Sequence, residues 1–134
     1  MGCRASLAFF DTGNVDPTKR WMPSISYYDA FETSLRYAYT VNGTTWSAQT
    51  IASVGNQGLY TSLFYDLSGK ANVFFFDRSS LTAKRAKKSG ASWTVSTLLT
   101  GGREMNVAMK STGALAYTTL DESIPRLDVQ FLGS

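Results

Sequence analysis

Short apolar runs, rich in aromatic and β-branched residues and broken by Gly, Asn and Asp, fill the chain. No window sustains a helical period, so the pattern predicts strands joined by tight turns. One segment type occurs three times: Ser6-Leu7-Ala8-Phe9-Phe10-Asp11-Thr12-Gly13, Ser62-Leu63-Phe64-Tyr65-Asp66-Leu67-Ser68-Gly69 and Asn106-Val107-Ala108-Met109-Lys110-Ser111-Thr112-Gly113. Each leads into a second run that closes on Asp: Pro23-Ser24-Ile25-Ser26-Tyr27-Tyr28-Asp29, Ala71-Asn72-Val73-Phe74-Phe75-Phe76-Asp77 and Ala114-Leu115-Ala116-Tyr117-Thr118-Thr119-Leu120-Asp121. A third strand is expected over Ser34 to Val41, Leu81 to Lys88 and Pro125 to Leu132. The turns Asn42-Gly43 and Ser89-Gly90, strong hairpin signals, connect the first two of these to fourth strands at Thr45 to Ala52 and Ser92 to Thr100.

These segments form repeats over residues 6–54, 62–101 and 106–132. Trp46 and Trp93 sit at matching places, roughly 47 residues apart, a period typical of repeat architectures. The stretch from Gly to the closing Asp is equally long in Gly69–Asp77 and Gly113–Asp121, but twice as long in Gly13–Asp29. The extra residues, Asn14 to Trp21, are polar and read as a lengthened hairpin loop. A sequential four-stranded meander at this period is the signature of a β-propeller blade. The continuous apolar run Val73-Phe74-Phe75-Phe76 fits a sheet covered on both faces. The expected fold class is therefore all-β: two complete four-stranded blades plus a three-stranded partial blade, in one domain over residues 1–134. A β-sandwich and a β-trefoil are the alternatives. So few blades leave apolar faces and edges open, which predicts that several copies of the chain close the ring by oligomerisation.

Composition narrows the chemistry. A hydrophobic fraction of 43% with 17% charged residues fits a globular domain rather than disorder. There is no histidine, which removes the usual general base and the commonest metal ligand. The single cysteine, Cys3, excludes an intrachain disulfide and a Cys-rich zinc site. No cofactor or phosphate-loop motif is present. The net charge is +3, much of it from Lys84-Arg85-Ala86-Lys87-Lys88. That run reads as a solvated edge strand whose lysines discourage edge pairing, and it lacks the breadth of a nucleic-acid face. No apolar run is long enough to span a membrane as a helix. Met1-Gly2-Cys3-Arg4-Ala5-Ser6 matches an N-myristoylation pattern, but Ser6 is equally explained as the start of the first strand. The closing Gly133-Ser134 reads as a cloning remnant.

Asp29, Asp77 and Asp121 recur once per repeat, too regularly for a unique acid/base pair, and are expected to cap turns. Trp46 and Trp93 are candidates for stacking on a sugar, with Arg36 and Tyr37 beside them. The competing role for both tryptophans is packing between blades. Asn42-Gly43-Thr44 is an N-glycosylation sequon whose residues also suit a hairpin turn.

Pro23-Ser24-Ile25-Ser26-Tyr27-Tyr28-Asp29, with Leu35-Arg36-Tyr37-Ala38 and Asn42-Gly43-Thr44-Thr45-Trp46, resembles blades of bacterial and environmental β-propeller repeat proteins. The resemblance covers nearly the whole chain. Sialidase-type propellers are more distant. Their Asp-box, Ser-x-Asp-x-Gly-x-Thr-Trp, keeps its second half in Gly43-x-Thr45-Trp46, while Tyr39 and Val41 stand at its Ser and Asp positions. Ala86 and Lys88 do so in the second copy. Small fucose-binding lectins are similar in plan, since their short chains assemble into complete propellers with sugars between blades. Their full ligand motif is not visible here. The expectation is a non-enzymatic binding propeller with glycan as its candidate ligand and the chain itself as partner. A self-assembling module without a small ligand and a fragment of a sialidase-like hydrolase are the alternatives.

Overall fold

A computed structural model describes residues 5–101, 103–121 and 126–132, without the side chains of 103–105, 121 and 126–128. The lipidation pattern at Met1–Arg4, with Cys3, and the closing Gly133-Ser134 lie outside the described residues, as do Pro125 and the side chain of Asp121. Strands take 66% of the chain and helix 3%, so the fold is all-β. The first antiparallel sheet runs in the order β1 (Ala5–Asp11), β2 (Trp21–Asp29), β3 (Ser34–Thr40) and β4 (Trp46–Ala52). The second runs β5 (Gln57–Tyr65), β6 (Ala71–Asp77), β7 (Thr82–Ser89) and β8 (Ser92–Thr100). The third has three strands, β9 (Arg103–Met109), β10 (Leu115–Asp121) and β11 (Arg126–Leu132), with β10 central. These are blade-like meanders. The described pairings all lie within one repeat.

The repeat reaches into backbone detail. β3 and β4 slip register between Leu35 and Arg36, and β7 and β8 slip between the matching Ala83 and Lys84. Just before each slip a non-glycine residue takes a left-handed conformation, Thr33 at φ 50° and Leu81 at φ 54°. The turns after β5 and β9 also match. Asp66 N donates to the Lys70 carbonyl, and Lys110 N donates to that of Ala114.

Side chains alternate across each strand, so each sheet presents two faces. β6 lies between neighbouring strands and has a covered sheet on either side, and all seven of its residues are buried. Val73 and Phe75 join Leu35, Tyr37, Leu63, Ala71 and Ala86 in a core between the first and second sheets. Phe74 joins Ala83, Leu115 and Tyr117 between the second and third. Each of the Val, Leu and Phe side chains among them contributes about 1.5–3 kcal/mol by burial. The first two sheets approach closely at Gly58 (φ 107°), where a Cβ would stand 2.8 Å from Leu35 Cα. β5 accordingly begins earlier than the expected Ser62 and is irregular through Gln57, Leu59 and Ser62.

Two expectations need correction. The basic run Lys84 to Lys88 does not form an edge strand: it lies on β7, paired with β6 on one side and β8 on the other. Lys84 is drawn inward by Asp77, 2.7 Å away and almost fully buried. The insertion after β1 is also more than a loop, since Pro17–Arg20 forms a one-turn helix, α1. Asp16 caps it by accepting from Thr18 N at 2.9 Å, and Pro17 supplies the fixed φ of a first helical residue. Arg20 closes the base through Asp11 at 2.8 Å.

Candidate functional site

The first and second sheets meet in an open cleft of about 270 Å³. The first sheet supplies Phe10, Tyr37, Tyr39 and Val41, and the second supplies Tyr65, Lys88 and the turn residues Gly69 to Ala71. Strand alternation explains the first wall. Tyr37 and Tyr39, two apart on β3, share a face and stack with centroids 5.4 Å apart and 23° between planes. Phe10, from the end of β1, leans on Tyr65 at 5.6 Å.

The floor is a chain of hydroxyls. Ser24 Oγ donates to the Ala8 carbonyl at 3.2 Å, so it accepts from Tyr65 Oη at 2.7 Å. Tyr65 Oη is then the acceptor for Tyr37 Oη, also at 2.7 Å. Burial is the main reason both phenols titrate above their ordinary range, and for Tyr37 donation to Tyr65 adds to it. Both remain protonated donors at neutral pH. Lower on the same junction, Ser26 Oγ and Thr61 Oγ1 share a hydrogen bond of 2.6 Å, and Leu63 N donates to Ser6 Oγ at 2.9 Å.

Beside the cleft, Gln49 of β4 bridges to the second sheet. Its Oε1 accepts from Lys88 Nζ at 2.9 Å and from Trp93 Nε1 at 3.3 Å. Trp93 meets Tyr37 edge-on at 5.2 Å, and the Lys88 ammonium lies 5.2 Å from the Trp93 ring and 5.7 Å from that of Tyr37. Desolvation among these groups lowers the Lys88 pKa. The cleft therefore offers aromatic faces, hydroxyls and two lysines, Lys70 and Lys88. No carboxylate lines it among the described residues.

The four residues singled out from sequence do not form one site. Tyr37 and Trp93 meet at this junction. Arg36 and Trp46 lie on the opposite face of the first sheet, because Arg36 is one residue from Tyr37 and Trp46 pairs with Thr40. Trp46 is 45% exposed there, and Arg36 Nε is buried without a partner. The recurring aspartates sit at turns. Asp29 Oδ1 accepts from Phe31 N and Glu32 N, and Asp77 Oδ1 accepts from Ser79 N and Ser80 N. Burial pushes the Asp77 carboxyl up, but Lys84, the Ser80 hydroxyl and the two turn amides outweigh this and hold it below its ordinary range. Asn42 Oδ1 accepts from Thr44 N and Thr45 N, so it shapes the turn that carries the sequon. Phe10, Tyr39, Tyr65, Lys88 and Gln49 escaped the sequence reading. Tyr39 alone had a usable signal, since it lies two residues from Tyr37 on a strand.

No group of three metal-ligating side chains occurs among the described residues. No protein-family model matches the chain, and no curated protein is similar to it.

Proposed function

We propose that the chain is a non-enzymatic binding module of a β-propeller assembled from several copies, with a carbohydrate held between adjacent blades. The observation that carries the reading is the cleft at the first junction. Part of its wall comes from one repeat and the rest from the next, and it combines aromatic faces with hydroxyl and ammonium donors. That set suits a flat, hydroxylated ligand better than bond cleavage, which would need carboxylates that the described lining does not supply. Testing it calls for a glycan array followed by calorimetry. A sugar that binds, and binds at least tenfold more weakly to Tyr39→Ala, is the expected result. Absence of binding to every sugar removes the carbohydrate part of the proposal.

Assembly is supported by what the two outer faces expose. On the first sheet, Leu7 is 60%, Phe9 54% and Trp46 45% exposed. In the repeat they align with Leu63, Tyr65 and Trp93, which the second sheet packs against the first. On the third sheet Val129 is 51% and Phe131 80% exposed, and they align with Tyr37 and Tyr39. Head-to-tail docking would thus repeat the internal junction between copies, with Trp46 of one chain against Val129 and Phe131 of the next.

A self-assembling module without a small ligand is the second reading. The engagement of Trp93 favours it, since that side chain is already held by Gln49 and Tyr37 and is not free to stack on a sugar.

A further inference from the structure

The cleft described above adjoins a second one of about 320 Å³, lined by Lys70, Arg85, Lys87 and Lys88 with the hydroxyls of Thr94 and Ser96. Lys70 and Lys88 line both. We propose that the carbohydrate ligand is an acidic oligosaccharide lying over the end of the second sheet at Lys70 and Lys88, one ring against Tyr39 and Phe10 on the near face and a carboxylate, sulfate or phosphate beside Arg85 and Lys87 on the far face. The proposal rests on the binding reading given above and specifies its ligand class.

Charge balance is the first argument. Lys87 has a counter-ion, Asp66, at 3.1 Å. Arg85 and Lys88 instead meet the neutral amides Asn72 and Gln49. No described residue bonds the Lys70 ammonium. Clustered cations without matching anions repel one another, a cost that a bound anion would reverse.

Preorganisation is the second. Arg85 Nε and one terminal nitrogen both donate to Asn72 Oδ1, at 3.0 and 2.7 Å. Asn72, fully buried, is itself fixed by donating to the Lys70 carbonyl at 2.9 Å and to Asp66 Oδ2 at 3.2 Å. Asp66 is anchored in turn by the amides of Ser68 and Lys70 and the Ser68 hydroxyl. The Phe74 ring, 5.8 Å away, supports the guanidinium from below. This relay orients the guanidinium and leaves its remaining N–H donors available, an arrangement suited to an oxyanion. Such a chain of support is not needed for a solvated lysine patch.

A nucleic acid would also bring phosphates, but it calls for a broad basic face, and here Arg85 and Lys87 stand on one face of the second sheet, Lys88 on the other, and Lys70 lines the clefts on both sides. The test is calorimetry on the whole chain with uronate, sialate and sulfated oligosaccharides. Each is paired with its neutral counterpart (methyl-esterified or desulfated), and single-stranded DNA of equal charge is included. Acidic members should bind at least tenfold more tightly than their neutral pairs and than the DNA. Lys70→Gln, an exposed change that touches no packing, and Arg85→Gln should each weaken acidic binding about tenfold. Neutral sugars binding as well as acidic ones overturn this inference while the carbohydrate reading stands. No sugar binding at all overturns both. DNA binding equal to the acidic sugars shows a general polyanion surface and overturns the assignment.

Discussion

The two inter-sheet junctions are built on the same repeat frame and hold different chemistry. Where the first places Tyr37, Tyr39 and Ser24, the second places Arg85, Lys87 and Asn72 at the matching strand positions. Tyr37 reaches Ser24 through Tyr65 across the gap, whereas Arg85 bonds Asn72 within its own sheet. The first junction therefore uses its polar groups to join two sheets. The second leaves joining to Phe74, Leu115 and Tyr117 and turns its polar groups toward the cleft. Apolar positions facing the neighbouring sheet define the frame, and the remaining positions are free to diverge.

Removing the core of either junction should have the largest effect. Phe75→Ala opens the first and Phe74→Ala the second, and each should lose about 3–5 kcal/mol in urea unfolding. A loss under about 1 kcal/mol for either would show that the junction is not packed as described. Next comes the buried ion pair between Asp77 and Lys84 in the second sheet. Asp77→Asn keeps the shape but leaves the Lys84 ammonium without its partner, and should cost about 3 kcal/mol.

The same carboxylates set the acid response. Burial raises the Asp66 pKa, but hydrogen bonds from Ser68, Lys70 N–H, Lys87 and Asn72 outweigh it and hold the group well below its ordinary range; Asp77 is depressed likewise. In the unfolded chain both titrate near about 3.9. Below that value the unfolded chain takes up protons that the folded chain resists. Their contribution is thus complete above about pH 5 and is lost progressively as pH falls through the lower folded values. Unfolding midpoints should stay level from pH 6 to about pH 5 and then fall toward pH 2, and Asp77→Asn should flatten that fall. An unchanged slope contradicts the assignment.

Smaller effects separate the junctions further. Tyr37→Phe removes the first donor of the hydroxyl chain and should cost about 1 kcal/mol. Lys70→Gln should change stability by less than about 0.5 kcal/mol, since no described residue depends on that ammonium. If Lys70→Gln proves as costly as Tyr37→Phe, the cation is structural.

Much of the frame was legible in the sequence because a buried-faced repeat imposes the same local choices each time. Gly-containing turns, strands ending on Asp and the matched tryptophans gave four, four and three strands in the right order. The helix in the insertion was signalled by Asp16-Pro17 but is too short to show a period. The irregular start of β5 was not legible, because Gly58 answers to Leu35 in another sheet rather than to its own neighbours. The site was read only in part. Adjacent residues such as Arg36 and Tyr37 look like one cluster in a line of text, yet a strand turns them to opposite faces. The basic run looked like an edge because composition does not reveal which strand β8 covers.

The central claim is that one copy's open first sheet docks on the third sheet of another. Native mass in solution tests it most directly, by analytical ultracentrifugation over a range of concentrations with Trp46→Asp as the comparison. The account predicts a discrete oligomer for the unaltered chain and dissociation to the monomer for the variant. A unaltered chain that stays monomeric at every concentration would contradict it.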